Sequence, residues 1–166
     1  MIRRAGTLRG AGGFTLIELV ITLALVGVVA MTALPLYDVS ATRSKEVELR
    51  SALRTIRTAI DAYKAAVDAG QVPKGATESG YPPSLDMLVQ GVDAARDNIN
   101  GGRRMVFLRQ IPRDPFAANP AAPPAQHWAT RTYGAAPDDL RSGEDVFDVA
   151  SRSTRVGSNG VPYQEW

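Results

Sequence analysis

Few side chains in this chain of 166 residues are of a type and spacing that could do chemistry. There is no cysteine and a single histidine, His127. That excludes disulfides, a thiol nucleophile, thiolate metal sites and any site built from several histidines. A Ser–His–Asp arrangement could use only His127, which follows a Pro/Ala-rich stretch and sits beside Trp128; a packing or surface role is expected there. Asp138–Asp139 and Glu144–Asp145 are adjacent acids in a stretch bearing Gly and Pro, and read as solvated loop charges. "NGG" at 100–102 and "GSNG" at 157–160 read as turns, because neither has the strand–loop–helix context or the lysine of a phosphate cradle. The residue that demands an explanation is Glu18. It is the only charged side chain between Phe14 and Leu36, in a run dominated by Leu, Ile, Val and Ala.

That run is 23 residues long, and about 20 apolar residues suffice to span a bilayer as a helix. It is longer than the roughly 7–15 apolar residues of a secretory signal. The nearest small-residue site, "AMTA" ending at Ala33, is followed by Leu-Pro and matches a signal cleavage site poorly. Arg3, Arg4 and Arg9 precede the run with no acid among them, which places the N-terminus in the cytoplasm and exports the remainder. Net charge is +2, but removing those three from the 19 basic residues leaves 16 against 17 acids. The body therefore carries no basic field for nucleic acid. A charge at mid-span costs about 2.5–3.5 kcal/mol, less near an end, so Glu18 is either a headgroup-level residue or a functional one.

The residues around it decide the direction. "GGFTLIELV" resembles the type IV prepilin signature: a short basic leader ending in Gly, an aromatic residue, then Thr-Leu-Ile-Glu-Leu. The resemblance implies that a prepilin peptidase cuts between Gly13 and Phe14 and methylates the new amine of Phe14. Glu18 is then the fifth residue of the mature chain. Cleavage creates a positive charge at Phe14, and a carboxylate in an apolar bundle of helices needs such a partner because an unpaired buried charge is expensive. The amine of an adjacent, axially staggered subunit can supply it, as can the chain's own amine along the first turn. Pro35 fits a proline that such helices often carry. It removes one helical hydrogen bond and clashes with the carbonyl of Met31, which predicts a kink or a locally melted turn.

Beyond Tyr37 the sequence turns polar. Leu49, Leu53, Ile56, Ile60, Tyr63 and Val67 then recur at alternating steps of four and three, one stripe of an amphipathic helix. Arg57–Asp61 and Lys64–Asp68 are spaced to pair at i,i+4, and Gly70 is placed to end the helix. Residues 14–70 thus read as one helix or two halves about Pro35, reaching roughly 80 Å if straight. After a loop at 71–80, "YPPSLDMLVQG" predicts a short helix with Ser84 at its start and Gly91 at its end. "AANPAAPPAQ" reads as a surface loop, "HWATRTYG" and "DVFDVAS" as strands, and "NGVPYQEW" as a turn with a final extended piece.

The expected fold is α+β: a long N-terminal helix, half membrane-like and half amphipathic, packed on a small C-terminal antiparallel sheet, pilin-like. Its expected divisions are a basic leader (1–13), a membrane and filament-core helix (14–37), an amphipathic helix (38–70) and a globular domain (71–166). "YPPSL…LV", "FLRQIPRDPF", "HW…R.YG", "VFDV.S" and "NGVPYQEW" resemble the body of type II secretion pseudopilins, especially the major, G-type subunit. The resemblance implies a non-enzymatic subunit of a periplasmic filament that drives protein export. It implies a homopolymer, minor pseudopilins, the inner-membrane assembly platform and the prepilin peptidase as partners, and no nucleic acid. It implies a single-pass protein of the bacterial inner membrane with a periplasmic body. A type IV pilus subunit, major or minor, is the nearer alternative; a membrane-anchored periplasmic enzyme or binding protein is the weaker one. Major pseudopilins commonly hold calcium in a carboxylate-rich C-terminal loop. Here residues 151–160, "SRSTRVGSNG", contain no acid and two arginines. Calcium takes about six to eight oxygen ligands, and Asp145, Asp148, Ser151, Asn159 and backbone carbonyls are a thin set. No metal ligand is therefore assigned, and packing of Phe147, Tyr163 and Trp166 is the other means of holding the loop.

Overall fold

The computed structural model describes residues 13–74, 79–94, 104–136 and 143–166, with the side chains of 32–37 outside that description. The leader up to residue 12, the "NGG" at 100–102 and Asp138–Asp139 also lie outside the described residues. The chain divides into two compact units, Met1–Ala41 and Thr42–Trp166.

Helix α1, Leu16–Asp68, contributes to both units. Its helical assignment continues through Pro35, so the locally melted turn expected there is not seen. At the far end Gly70 adopts φ 66°. Its N–H donates to Val67 O (2.9 Å), and that of Gln71 donates to Ala66 O (2.9 Å). This pair of bonds closes the last turn around a left-handed residue, a conformation that glycine adopts without a Cβ clash.

In the second unit the expected stripe is the core. Leu49, Leu53, Ile56, Ile60, Tyr63 and Val67 are all buried, together with Ala52, Ala59 and Ala66. The alanines lie seven residues apart, two turns along the same face, and let the body approach the helix closely. Against them pack Leu85, Leu88, Leu108, Phe116, Trp128, Val146, Val149 and Tyr163. Each large aliphatic side chain fully buried there contributes about 1.5–3 kcal/mol.

Helix α2, Leu85–Gln90, follows Ser84, whose backbone is extended but whose hydroxyl makes no cap bond. Gly91 ends it at φ 75°. A Cβ on Gly91 would lie 2.7 Å from Met105 O, so this position demands glycine twice over. Strands β1 (Val92–Asp93) and β2 (Arg104–Met105) form a short antiparallel pair. Phe107 and Leu108 N–H groups both donate to Leu88 O, tying the segment after β2 to the end of α2. Strands β3 (Trp128–Arg131) and β4 (Asp148–Ser151) form the second antiparallel pair, with Trp128 opposite Ser151 and Arg131 opposite Asp148. The chain end differs from the expected extended piece: Val156 bridges Pro162, and Tyr163–Glu165 forms a 3₁₀ turn. Pro162 (φ −57°) precedes that turn, and burial of the Tyr163 ring at 1% exposure holds it against the helix.

Candidate functional site

The predicted processing site lies just before the start of α1. Gly13 and Phe14 are outside regular structure and exposed, Phe14 at 84%. Nothing lies within 4 Å of a Cβ built on Gly13. The peptide bond between them is therefore exposed and outside regular structure. Thr15 caps the helix: its Oγ1 accepts from the Glu18 N–H at 3.3 Å, and its carbonyl accepts from Leu19 N–H at 3.1 Å. Thr15-x-x-Glu18 is thus half of a capping box, with Glu18 at the third helical position. A carboxylate in the first turn also faces the positive end of the helix dipole. The spacing of Thr15 and Glu18 was available in the sequence as a helix-start signal and was not read there. It gives Glu18 a local structural role beside any role in assembly.

The side chains that follow are apolar and uncovered. Leu16, Ile17, Leu19, Val20, Ile21, Leu23, Leu25, Val26, Val28, Val29 and Met31 are each more than half exposed, on every side of the helix. The Thr22 hydroxyl turns inward and donates to Leu19 O at 2.9 Å, so it presents no unmet polar group. A helix that is apolar all round is stable only when something else covers it. Among the described residues no helix is long and apolar enough to cross a membrane. Within this run the described side chains end at Met31, whereas the sequence run continues to Leu36.

The pattern described as the prokaryotic N-terminal methylation motif matches residues 8–34. The type II secretion system core protein G of Klebsiella pneumoniae is 28% identical over 137 residues, covering 80% of this chain and 89% of its own length. The chain is thus similar at its N-terminus to prepilins and along most of its length to that core protein G. No solved structure matches the chain.

Within the second unit, four carboxylates hold the fold, and sequence reading missed or misplaced all of them. Glu46, only 2% exposed, accepts from Ser158 N–H at 2.6 Å, from Ser158 Oγ, and from the Tyr163 hydroxyl at 3.1 Å. Burial pushes its carboxyl up, but these donors outweigh that and hold it below the usual range. Asp145 is not a solvated loop charge: it is 6% exposed and accepts from Ser79 Oγ, Thr132 Oγ1 and Tyr133 N–H. Desolvation raises its pKa, and those bonds lower it further than burial lifts it. Asp114 caps its own turn through Phe116 N–H (2.7 Å) and accepts from Ser151 Oγ. Asp148 lies between two guanidinium groups, Arg57 Nε at 2.7 Å and Arg131 at 3.1 Å, and despite partial burial is held low by them.

Arg57 does not pair with Asp61 as its spacing suggested. It reaches off the helix to Asp148, to Val149 O (3.0 Å) and to Trp166 O (2.9 Å). Lys64 and Asp68 do pair along α1. His127 packs as expected, 4% exposed, with its Nδ1 accepting from Asp114 N–H at 3.4 Å.

The calcium implied by the resemblance to major pseudopilins does not fit these donors. A cation site needs carboxylate and carbonyl oxygens converging on an empty centre. Here Asp145 and Asp148 are filled by hydroxyl, N–H and guanidinium donors. Ser151 Oγ is spent on Asp114, and Asn159 Oδ1 accepts from Val161 N–H at 3.1 Å. Among the described residues no three acids or histidines cluster to hold a metal ion.

Proposed function

We propose that the chain is a subunit of a type II secretion pseudopilus, cut between Gly13 and Phe14 by a prepilin peptidase and N-methylated at Phe14. The observation that carries this reading is the uncovered apolar half of α1. Helix faces exposed all round from Leu16 to Met31 require a bilayer or other helices around them. The precursor meets the first requirement as a single-pass protein of the bacterial inner membrane with its body in the periplasm. The filament meets the second, with the apolar helices of many copies bundled at its centre. Glu18 joins the two states. Its carboxylate takes the α-amino group of Phe14 in a neighbouring subunit as its partner, which sets the stagger between copies. Pro35 lets the helix bend where the apolar part gives way to the amphipathic part.

The similarity to core protein G of Klebsiella pneumoniae favours the repeating, major subunit over a type IV pilus component. Minor pseudopilins and the inner-membrane assembly platform are the partners that follow.

The test is the intact mass of the full chain expressed with and without a prepilin peptidase. The expected result is loss of residues 1–13 and gain of one methyl group only when the peptidase is present. Cleavage near Ala33, or an unchanged mass, sinks the reading. Glu18→Leu is expected to leave processing intact and abolish filaments seen by electron microscopy; wild-type filament yield from that variant removes Glu18 from assembly.

A further inference from the structure

The C-terminal loop of the body, residues 152–162, contains no acid of its own, yet it is tightly held. Gly157 N–H donates to Val161 O at 2.9 Å, and Gly160 N–H to Gly157 O at 3.0 Å, closing a turn with Gly160 at φ 80°. There is no room beneath it: a Cβ on Gly157 would lie 2.4 Å from the Trp166 ring and 3.0 Å from the Tyr163 ring. Asn159 turns its own side chain back onto Val161 N–H. Arg152, one of the two arginines, is engaged by Trp128 O at 3.0 Å, and the other, Arg155, stacks over Phe116. A loop this close to two positive side chains is a poor place for a divalent cation.

What reaches the loop from outside is Glu46. It lies on α1 one turn before Arg50, more than a hundred residues away in sequence, and is almost completely buried. Both of its oxygens point at the turn: one takes the Ser158 N–H and the Tyr163 hydroxyl, the other the Ser158 hydroxyl. A buried carboxylate with three donors is stable as an anion, whereas one without them is costly.

We propose that Glu46 is a latch that stands in for a cation: its carboxylate, offered by helix α1, draws the turn at 157–160 onto the helix and locks the C-terminal loop without calcium. A metal-locked loop gathers negative side chains around a positive centre. This loop gathers neutral donors around one negative group instead. Arg50 and Arg155 are the charged groups nearest the latch, and Tyr163 and Ser158 supply its donors. The inference concerns the loop alone and stands whether or not the chain polymerises.

The test is hydrogen exchange of the Ser158 amide in the full chain held in detergent. It compares wild type, Glu46→Gln and Ser158→Ala, each in millimolar calcium chloride and in EDTA. In wild type, exchange is expected to be the same with calcium and with EDTA. Glu46→Gln is expected to exchange about tenfold faster or more, from loss of charge-assisted bonds, and calcium is expected not to restore it. Ser158→Ala keeps the backbone donor and is expected to show a smaller acceleration. Faster exchange of wild type in EDTA, or rescue of Glu46→Gln by calcium, overturns the proposal in favour of a bound cation. Wild-type exchange in Ser158→Ala overturns the latch itself, a result that stays readable if Glu46→Gln fails to fold.

Discussion

The two ends of helix α1 obey opposite rules. From Leu16 to Met31 the side chains are apolar on all faces and lie open. From Leu49 to Val67 the apolar residues keep to one stripe, and that stripe is buried by the chain's own body. Polar groups divide in the same way. The Thr15 hydroxyl bonds within the first turn of the helix, to the Glu18 N–H, whereas Glu46 and Arg57 reach residues roughly a hundred positions on. One helix thus holds a segment completed within the molecule and a segment that needs other molecules. Stability of the body reports on the first, and processing or assembly on the second.

Substitutions that confuse these two readouts would break the comparison. The largest effect is expected in the buried stripe. Ile56→Ala removes a fully buried side chain and should destabilise the body by about 2–5 kcal/mol, measured by chemical denaturation. Leu25→Ala in the open half should leave that transition unmoved; a comparable loss there would mean the two halves share one core.

Acid comes next. Glu46, Asp145 and Asp148 are all held below their ordinary values of 4.5, 3.8 and 3.8. A depressed carboxylate contributes stability that is fully present above its unfolded value and is lost as pH falls through the folded one. The melting temperature should therefore be flat from pH 5 upward and fall below about pH 4.5. A fall already complete by pH 5 would point to groups other than these. Arg57→Ala removes one ion pair and two carbonyl bonds but leaves Arg131 on Asp148. About 2 kcal/mol of lost stability is expected in the same denaturation measurement. An effect near zero would return Arg57 to the ordinary surface-pair role its spacing suggested.

The smallest effect belongs to the open end. Thr15→Ala removes the cap and should destabilise the first turn by about 1 kcal/mol. The expected signature is faster exchange of the Glu18 amide with an unchanged melting temperature of the body. A shift in that melting temperature would contradict the separation.

Periodic and local features were legible in the sequence because they repeat or lie within a few residues. The stripe from Leu49 to Val67, the glycine stop at Gly70, and the strands around Trp128 and Val149 all belong to this class. The body's fastenings were not legible. Arg57 has an acid four residues on, so local spacing suggested Asp61, but Asp148 offers a partner that is also within the packed body. Asp145 read as a loop charge because nothing nearby in sequence announces Ser79 or Thr132 as its donors. Glu46 lies among other polar residues before the stripe begins, and only the folded loop gives it its hydrogen-bond donors. The Thr15 cap is the exception, a local signal overlooked because the surrounding run was read for hydrophobicity alone.

The latch between Glu46 and the turn at Ser158 also sets an order of events. Glu46 emerges from the ribosome more than a hundred residues ahead of its donors, and Arg57 precedes Asp148 by 91 residues. Until those later residues arrive, a carboxylate and a guanidinium on the nascent helix stay hydrated, and closing so long a loop is slow. The body therefore stays unlocked during most of its synthesis, and a chain cut short before residue 158 carries an unfastened core that a protease can recognise.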